Sequence, residues 1–438
     1  MSRLQGRGTF HGFGRARPLC FACTSTWRGV RVHHLAPLLV TSVPSSRGAA
    51  ISGLVSYRGR PDGRASRLAG GPTVKPTVRA KLEKQHYRIV GPSQHSGVKL
   101  CHWTKEDLKA GRHCYKGDFY GIESNQCLQM TPTVDHCNFR CTYCWRHHGF
   151  TSMDMEHVDQ PSDILAEALD AQRMLLTGYK GHPTVDRAKW EQAQRPKHVA
   201  ISLTGEPTMY PHLGELIAEC HKYGMTTFLV TNGSYPEVLR ELDPLPTQLY
   251  VSVDAPNEAV FKEICVPTVP KAWEKLQETL EVLPSLDTRI VCRHTLVKGH
   301  SLQYVEDYAK QDRIAEPDFV EAKGYVFVGD SRNRLTIGHM PSHDEVTSFS
   351  RDLAETLGYH YRADNPASRV ALLTRTLKDP RLKPEDFPVA RLDPFKPKNR
   401  EAQGIPMVGE HVASETAVPA PVIDEVPNAF LDMSRLRK

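Results

Sequence analysis

The sequence predicts an α/β protein built on a parallel sheet, and three observations predict it. Short apolar runs alternate with amphipathic helical stretches between about residues 161 and 357, the pattern of repeated strand–helix–strand units. The runs end on polar or small residues: Gly205-Glu206, Thr231-Asn232, Asp254 and Lys298. Parallel α/β folds collect their functional groups at such carboxyl ends. Ahead of this rhythm, six of the eleven cysteines crowd between Cys101 and Cys144. Repeated crossovers of one hand allow an open doubly wound sheet or a full or partial (β/α) barrel.

The elements follow in order. Residues 1–80 are rich in Arg, Gly, Ser and Pro, contain one acidic residue, Asp62, and show no sustained periodicity. They read as a disordered extension, a transit peptide or an overlong start. Cys20 and Cys23 form a CxxC there with no partner pair and read as incidental. A globular part starts near Lys81, where residues 81–91 suggest a short helix and strand. Residues 161–176 carry Ile164, Ala168, Ala171 and Leu175 at helical spacing. Strands are expected at 198–203, 226–230, 249–253, 288–297 and within 319–328. Helices are expected after Pro207 and at 258–264, 271–283, 304–312 and 344–357. Beyond Pro380 periodicity fades, so 374–438 reads as an extension, disordered after about 400.

Composition narrows the class. The 438 residues carry a net charge of +6 and 39% hydrophobic residues, enough for a large core. No apolar run reaches the length of a membrane span. Clustered, odd-numbered cysteines in a long chain argue against a secreted disulfide framework and for metal in a reducing compartment, the cytoplasm.

Cys137, Cys141 and Cys144 form a CxxxCxxC. Three thiolates on one loop can hold three irons of a [4Fe–4S] cube and leave the fourth open to a small molecule. A zinc knuckle, with His147 or His148 as fourth ligand, is the competing reading. The spacing, with Phe139 and Tyr143 beside it, resembles the radical S-adenosylmethionine (SAM) enzymes, whose fold is a partial (β/α)6-type barrel. In that superfamily a turn like Gly205-Glu206-Pro207 contacts the SAM amino group; glycine permits close backbone approach and the carboxylate accepts a hydrogen bond. By itself the turn is also an ordinary strand-to-helix junction. Upstream, Cys101, Cys114 and Cys127 recur at near-regular spacing. Singly each reads as a buried structural cysteine; together they suit a second cluster, with Lys116 as an amine among its ligands.

Longer motifs run through the chain: "CHWTK" from Cys101, "CYKGDFYGI" from Cys114, "CLQMTP" from Cys127, "CNFRCTYCWRHH" from Cys137, "SLTGEPTMYP" from Ser202, "QLYVSVDAP" from Gln248 and "PDFVEAKGYVFVG" from Pro317. With these, residues 81–373 resemble the tRNA 4-demethylwyosine synthases, in the shorter archaeal form without a flavodoxin-like domain. The resemblance implies two [4Fe–4S] clusters, SAM, and condensation of N1-methylguanosine-37 of tRNA(Phe) with pyruvate. It makes residues 81–130 a second-cluster and pyruvate segment and 131–373 the radical SAM core with a family-specific segment. Lys116 would form a Schiff base with the keto carbon of pyruvate, which requires a neutral amine. Burial, or proton transfer to a neighbour such as Asp118, would supply it. Thr231, Asn232, Ser252 and Asp254 would hold SAM, and Trp145, Arg146 and His147 would position it or shield the cluster. Arg293, Lys298, Lys323, Arg332 and Arg334 are candidates for tRNA phosphates, and Tyr325 or Phe327 for stacking on the flipped base. An external flavodoxin or ferredoxin would donate the electron to a monomeric enzyme. Another RNA, or a peptide, is the alternative substrate.

Overall fold

A ten-stranded sheet organises the molecule. In the computed structural model, residues 74–148, 153–155 and 157–394 are described; Cys20, Cys23 and most of both expected extensions lie outside them. The chain enters through helix α1 (Pro76–Lys84) and a hairpin of β1 (Arg88–Val90) and β2 (Ser96–Val98). Two short helices, α2 (His102–Ala110) and α3 (Tyr115–Tyr120), lead into β3 (Cys127–Thr131). From β3 the strands run parallel: β4 (His198–Ile201), β5 (Thr226–Thr231), β6 (Gln248–Ser252), β7 (Arg289–Leu296) and β8 (Phe319–Gly324). The crossovers carry α4 (Pro161–Thr177), α5 (Arg187–Ala193), α6 (Leu213–Lys222), α7 (Pro236–Arg240), α8 (Glu258–Ile264), α9 (Ala272–Val282) and α10 (Val305–Ala315). After α11 (His343–Leu357), strands β9 (His360–Asn365) and β10 (Val370–Thr374) close the far edge. There β10 pairs antiparallel with both β8 and β9. Six parallel strands with antiparallel flanks make the partial barrel that the sequence predicts.

Local chemistry explains the main boundaries. Pro161 opens α4 at a position where its missing N–H costs nothing. Ser342 and Glu345 cap α11 reciprocally, and Gly358 ends it in the left-handed region. The sequence expects no strand at Cys127–Thr131, because five residues beginning on a cysteine and holding Gln129 and Thr131 show no apolar run. The strand-rich stretch expected within 319–328 yields β8, which stops at Gly324. Beyond it Gly329–Asn333 coils into a 3₁₀ turn.

The two faces of the parallel strands do different things. Outward residues, among them Leu229, Leu249, Val251, Ile290, Cys292, Val320 and Ala322, are buried in the main core. Inward residues change character along each strand, as alternation and register require. Phe228, Tyr250, Val291 and Phe319 pack on Tyr115, Phe119 and Tyr120 of α3, which plugs the concave side. Two to four residues further on, the same face presents Asn232, Ser252, Asp254, Arg293, Glu321 and Lys323. The barrel interior is therefore apolar at its base and polar at its carboxyl mouth. No helix among the described residues is long and apolar enough to cross a membrane.

Candidate active site

The CxxxCxxC loop leaves β3 and is held from three sides. Arg140 N–H donates to Val266 O at 3.0 Å and Thr142 N–H to Ile264 O at 2.8 Å. Asn138 ties the loop to the end of β5: its Oδ1 accepts from Asn232 Nδ2 at 2.8 Å and its Nδ2 donates to Ser234 Oγ at 2.7 Å. On the third side Arg334 donates from Nε to Thr142 O at 3.0 Å and from its terminal nitrogen to the carbonyls of Cys144 and Arg146. Asp330 N–H donates to Trp145 O at 3.0 Å, and its carboxylate pairs with His147. Gly329 admits this contact, since a Cβ there would lie 2.4 Å from Trp145 O. Trp145 itself stacks on Tyr87, with Lys99 over both rings.

Gly205 and Glu206 sit beside this loop. Gly205 has φ +76°, and a Cβ would meet Thr133 O at 1.9 Å and His136 O at 2.6 Å, so only glycine fits. Glu206 is buried, and burial raises its carboxyl's pKa against the hydrogen bonds it accepts. Oε1 accepts from Thr208 N–H and Oγ and from Thr231 Oγ; Oε2 accepts from Asn232 N–H at 2.7 Å. Glu206, Thr231 and Asn232 thus form one network. Asp254 accepts from Tyr143 OH at 2.7 Å and Thr295 N–H at 2.7 Å, joining the cysteine loop to β7. Ser252 Oγ accepts from Arg293 at 3.0 Å.

The second triad is assembled from three elements. Cys101 immediately precedes α2, Cys114 immediately precedes α3, and Cys127 opens β3. The three thiols act electrostatically on one another and on Lys116. Burial pushes Cys114 and Cys127 up to about 12 and Cys137 likewise to about 12. Such thiols become ligands by exchanging protons for iron. All six cysteines of both triads are free and none is fully buried as a residue. Among the described residues no three His, Cys, Asp or Glu side chains converge on a single ion position. A four-iron cube asks for something different, three thiolates each on its own iron, and the two free triads suit it.

Lys116 reaches inward from α3. Its Nζ lies 4.0 Å from the centroid of the Tyr250 ring and 5.3 Å from that of Phe228. Burial lowers its pKa, opposed by the charge of Glu321 and by Cys114 and Cys127. Asp118 is exposed and accepts from Asn365 at 2.7 Å. The carboxylate that acts on Lys116 is instead Glu321 on β8, which sequence reasoning missed because it lies some two hundred residues away. Glu321 accepts from Tyr115 OH at 2.9 Å and Tyr120 OH at 2.8 Å.

The five cationic candidates do not form one patch. Lys298 is exposed and pairs with Glu345 at 2.5 Å. Arg332 is exposed and covers Phe327. Arg334 is spent on the cysteine loop. Arg293 and Lys323 lie on the inner face of the barrel; burial lowers Lys323 to about 8. Tyr325 is buried, and its hydroxyl donates to Ser331.

Comparison with known proteins supplies the family. A radical SAM superfamily model matches residues 131–311, and a wyosine base formation model matches residues 314–375. The SAM-dependent tRNA 4-demethylwyosine synthase of Pyrococcus abyssi is 49% identical over 319 residues, 72% of this chain and 93% of the relative. The human relative of the same description is 39% identical over 288 residues, 65% of this chain and 39% of that longer protein. A structure of TYW1 with a lysine–pyruvate adduct bound superposes with TM-score 0.65 and 35% identity, covering 70% of this chain and 99% of that one. A crystal structure of archaeal TYW1 gives TM-score 0.59 and 32% identity over 70% of this chain and all of the other.

Proposed function

The chain belongs to the SAM-dependent tRNA 4-demethylwyosine synthases of the radical SAM superfamily, and we propose that it condenses N1-methylguanosine-37 of tRNA(Phe) with pyruvate as a carbon–carbon lyase. The observation that carries the pyruvate step is Lys116, half-buried, with its Nζ over the Tyr250 ring and in the field of Cys101, Cys114 and Cys127. The relative solved with a lysine–pyruvate adduct supports the same reading.

Cys137, Cys141 and Cys144 would hold the [4Fe–4S] cluster that serves SAM, and Cys101, Cys114 and Cys127 would hold a second. When bound, the first cluster and SAM would supply radical hydrogen-abstraction chemistry directed at the N1-methyl group, with the electron drawn from an external flavodoxin or ferredoxin. The chain's own groups do the rest. Gly205 lets SAM approach the backbone, while Glu206, Thr231 and Asn232 present a fixed set of acceptors and donors. Ser252 and Asp254 extend that set along the mouth. Apolar packing of α3 against Phe228 and Tyr250 keeps water from Lys116 and favours its neutral form. The neutral amine adds to C2 of pyruvate and the keto oxygen leaves as water. The exposed Lys298 and Arg332 remain candidates for tRNA phosphates. With both triads on one chain, the enzyme works as a monomer in a reducing, cytoplasmic setting.

The test is anaerobic incubation of iron- and sulfide-reconstituted protein with N1-methylguanosine-containing tRNA, SAM, pyruvate and a reductant. A tricyclic base by mass spectrometry is expected. Its absence, with SAM cleavage intact, would move the chain to another RNA or peptide substrate.

A further inference from the structure

We propose that Arg293 and Lys323 form the receptor for the carboxylate of the 2-oxo acid that reacts at Lys116. The inference rests on the reading of Lys116 given above. Strand register puts the groups on one face: Arg293 lies opposite Ser252 on one side and Glu321 on the other, and Lys323 follows Glu321 by two residues. Lys323 Nζ is 4.6 Å from the centroid of the Tyr115 ring, whose hydroxyl donates to Glu321. Glu321 acts electrostatically on Lys116, Arg293 and Lys323 alike. Three cationic side chains therefore share one carboxylate, and both of its oxygens already accept from tyrosine hydroxyls. Asp254, the other acid near Arg293, is engaged by Tyr143 and Thr295.

The hydrogen bonding shows what is missing. A terminal nitrogen of Arg293 donates to Ser252, but its Nε is buried and has no acceptor. An unmet buried guanidinium N–H is costly. Lys323 uses one donor, on Ser368 O at 3.3 Å. Iron-bound thiolates would offset charge, yet sulfur is a weak acceptor for a planar N–H fork. A carboxylate fits that fork with two parallel bonds, and an ammonium can add a third. In a 2-oxo acid the carboxylate is bonded to the keto carbon itself. Gripping it beside Lys116 aims C2 at the amine; in that step a C–N bond forms, the C–O bond breaks and water leaves, with the carboxylate unchanged.

The test uses the full-length reconstituted protein with labelled pyruvate and cyanoborohydride, without tRNA. The borohydride delivers hydride to the imine carbon and fixes pyruvate on Lys116 as a secondary amine. Arg293→Gln is expected to raise the pyruvate concentration for half-maximal trapping by about tenfold or more. Arg293→Lys should fall between that variant and the parent, and Lys323→Met should raise it less, with SAM half-saturation unchanged in Lys323→Met. In the unsubstituted protein, oxamate should compete with trapping and the neutral pyruvamide should not, a readout that no folding defect can mimic. Equal competition by the two, or unaltered half-saturation in both Arg293→Gln and Lys323→Met, would overturn the receptor. So would a shift in SAM half-saturation alone, which would assign Arg293 to the SAM carboxylate. No adduct in the unsubstituted protein would sink the reading of Lys116, and the receptor with it.

Discussion

The two cysteine triads are built on opposite principles. Cys137, Cys141 and Cys144 occupy eight consecutive residues of one loop, and their neighbours Asn138, Arg140 and Thr142 offer backbone and side-chain groups by which the barrel grips them. Cys101, Cys114 and Cys127 come from the starts of two helices and a strand, and meet only after α3 has docked on the sheet. The first triad is a local motif stabilised by tertiary contacts. The second is itself a tertiary contact. Integrity of the second site should therefore depend on the packing of α2 and α3, while the first should survive as long as its loop is anchored.

Substitutions can break or sharpen that contrast. The largest effects are expected from the cysteines. Cys141→Ala should abolish reductive cleavage of SAM to 5′-deoxyadenosine, whereas Cys114→Ala should keep cleavage and lose the tricyclic product. Each variant should retain about four irons. Identical behaviour in iron analysis and product assays would mean the triads are one site. Lys116→Ala should cut product formation at least about a hundredfold with SAM cleavage preserved, read by chromatography of both products; full activity would remove the amine from the reaction.

Smaller effects separate the scaffolds. Gly205→Ala meets two backbone carbonyls in a left-handed conformation, so it should cost about 2 kcal/mol or more in denaturant unfolding and weaken SAM binding. The smallest effect concerns Glu123, in the turn between α3 and β3. The hydrogen bond from His198, helped by Lys197, holds its carboxyl down from 4.5 to about 2. A depressed pKa stabilises the fold above the ordinary carboxyl range, and that contribution disappears as pH falls through about 2. Glu123→Gln should thus lower stability by less than about 1 kcal/mol near neutral pH, since the pair is partly exposed. The gap to the parent should close on acidification, followed by circular dichroism. A gap that widened in acid would contradict the assignment.

What the sequence made legible follows the same division. The CxxxCxxC, the strand ends at Gly205 and Thr231, and helices such as α8 and α9 were readable because their signals are local: spacing, periodicity and turn chemistry. The partners of Lys116 were not. Glu321, Tyr115, Tyr120 and Tyr250 converge only through sheet register and the docking of α3. Arg293 and Lys323 looked like surface cations because, in a single sequence, a charged residue on a strand gives no sign of which face it occupies until its neighbours are paired. Strand β3 escaped because it is short and only Leu128 and Met130 of its buried side chains are apolar, too few to set a period. Asp118 was a reasonable neighbour by proximity in sequence, yet two residues along α3 is a little over half a helical turn and sends it to solvent.

The grip of Arg334, Asp330 and Gly329 on residues 142–147 has a consequence for modularity. These three residues belong to the stretch matching the wyosine base formation model, whereas the loop they hold belongs to the stretch matching the radical SAM model. The two stretches are not interchangeable cassettes. A chimera carrying the tail of a different radical SAM protein would inherit a cysteine loop with one of its three walls removed. Exchanging one stretch without the other would therefore loosen the hold on residues 142–147.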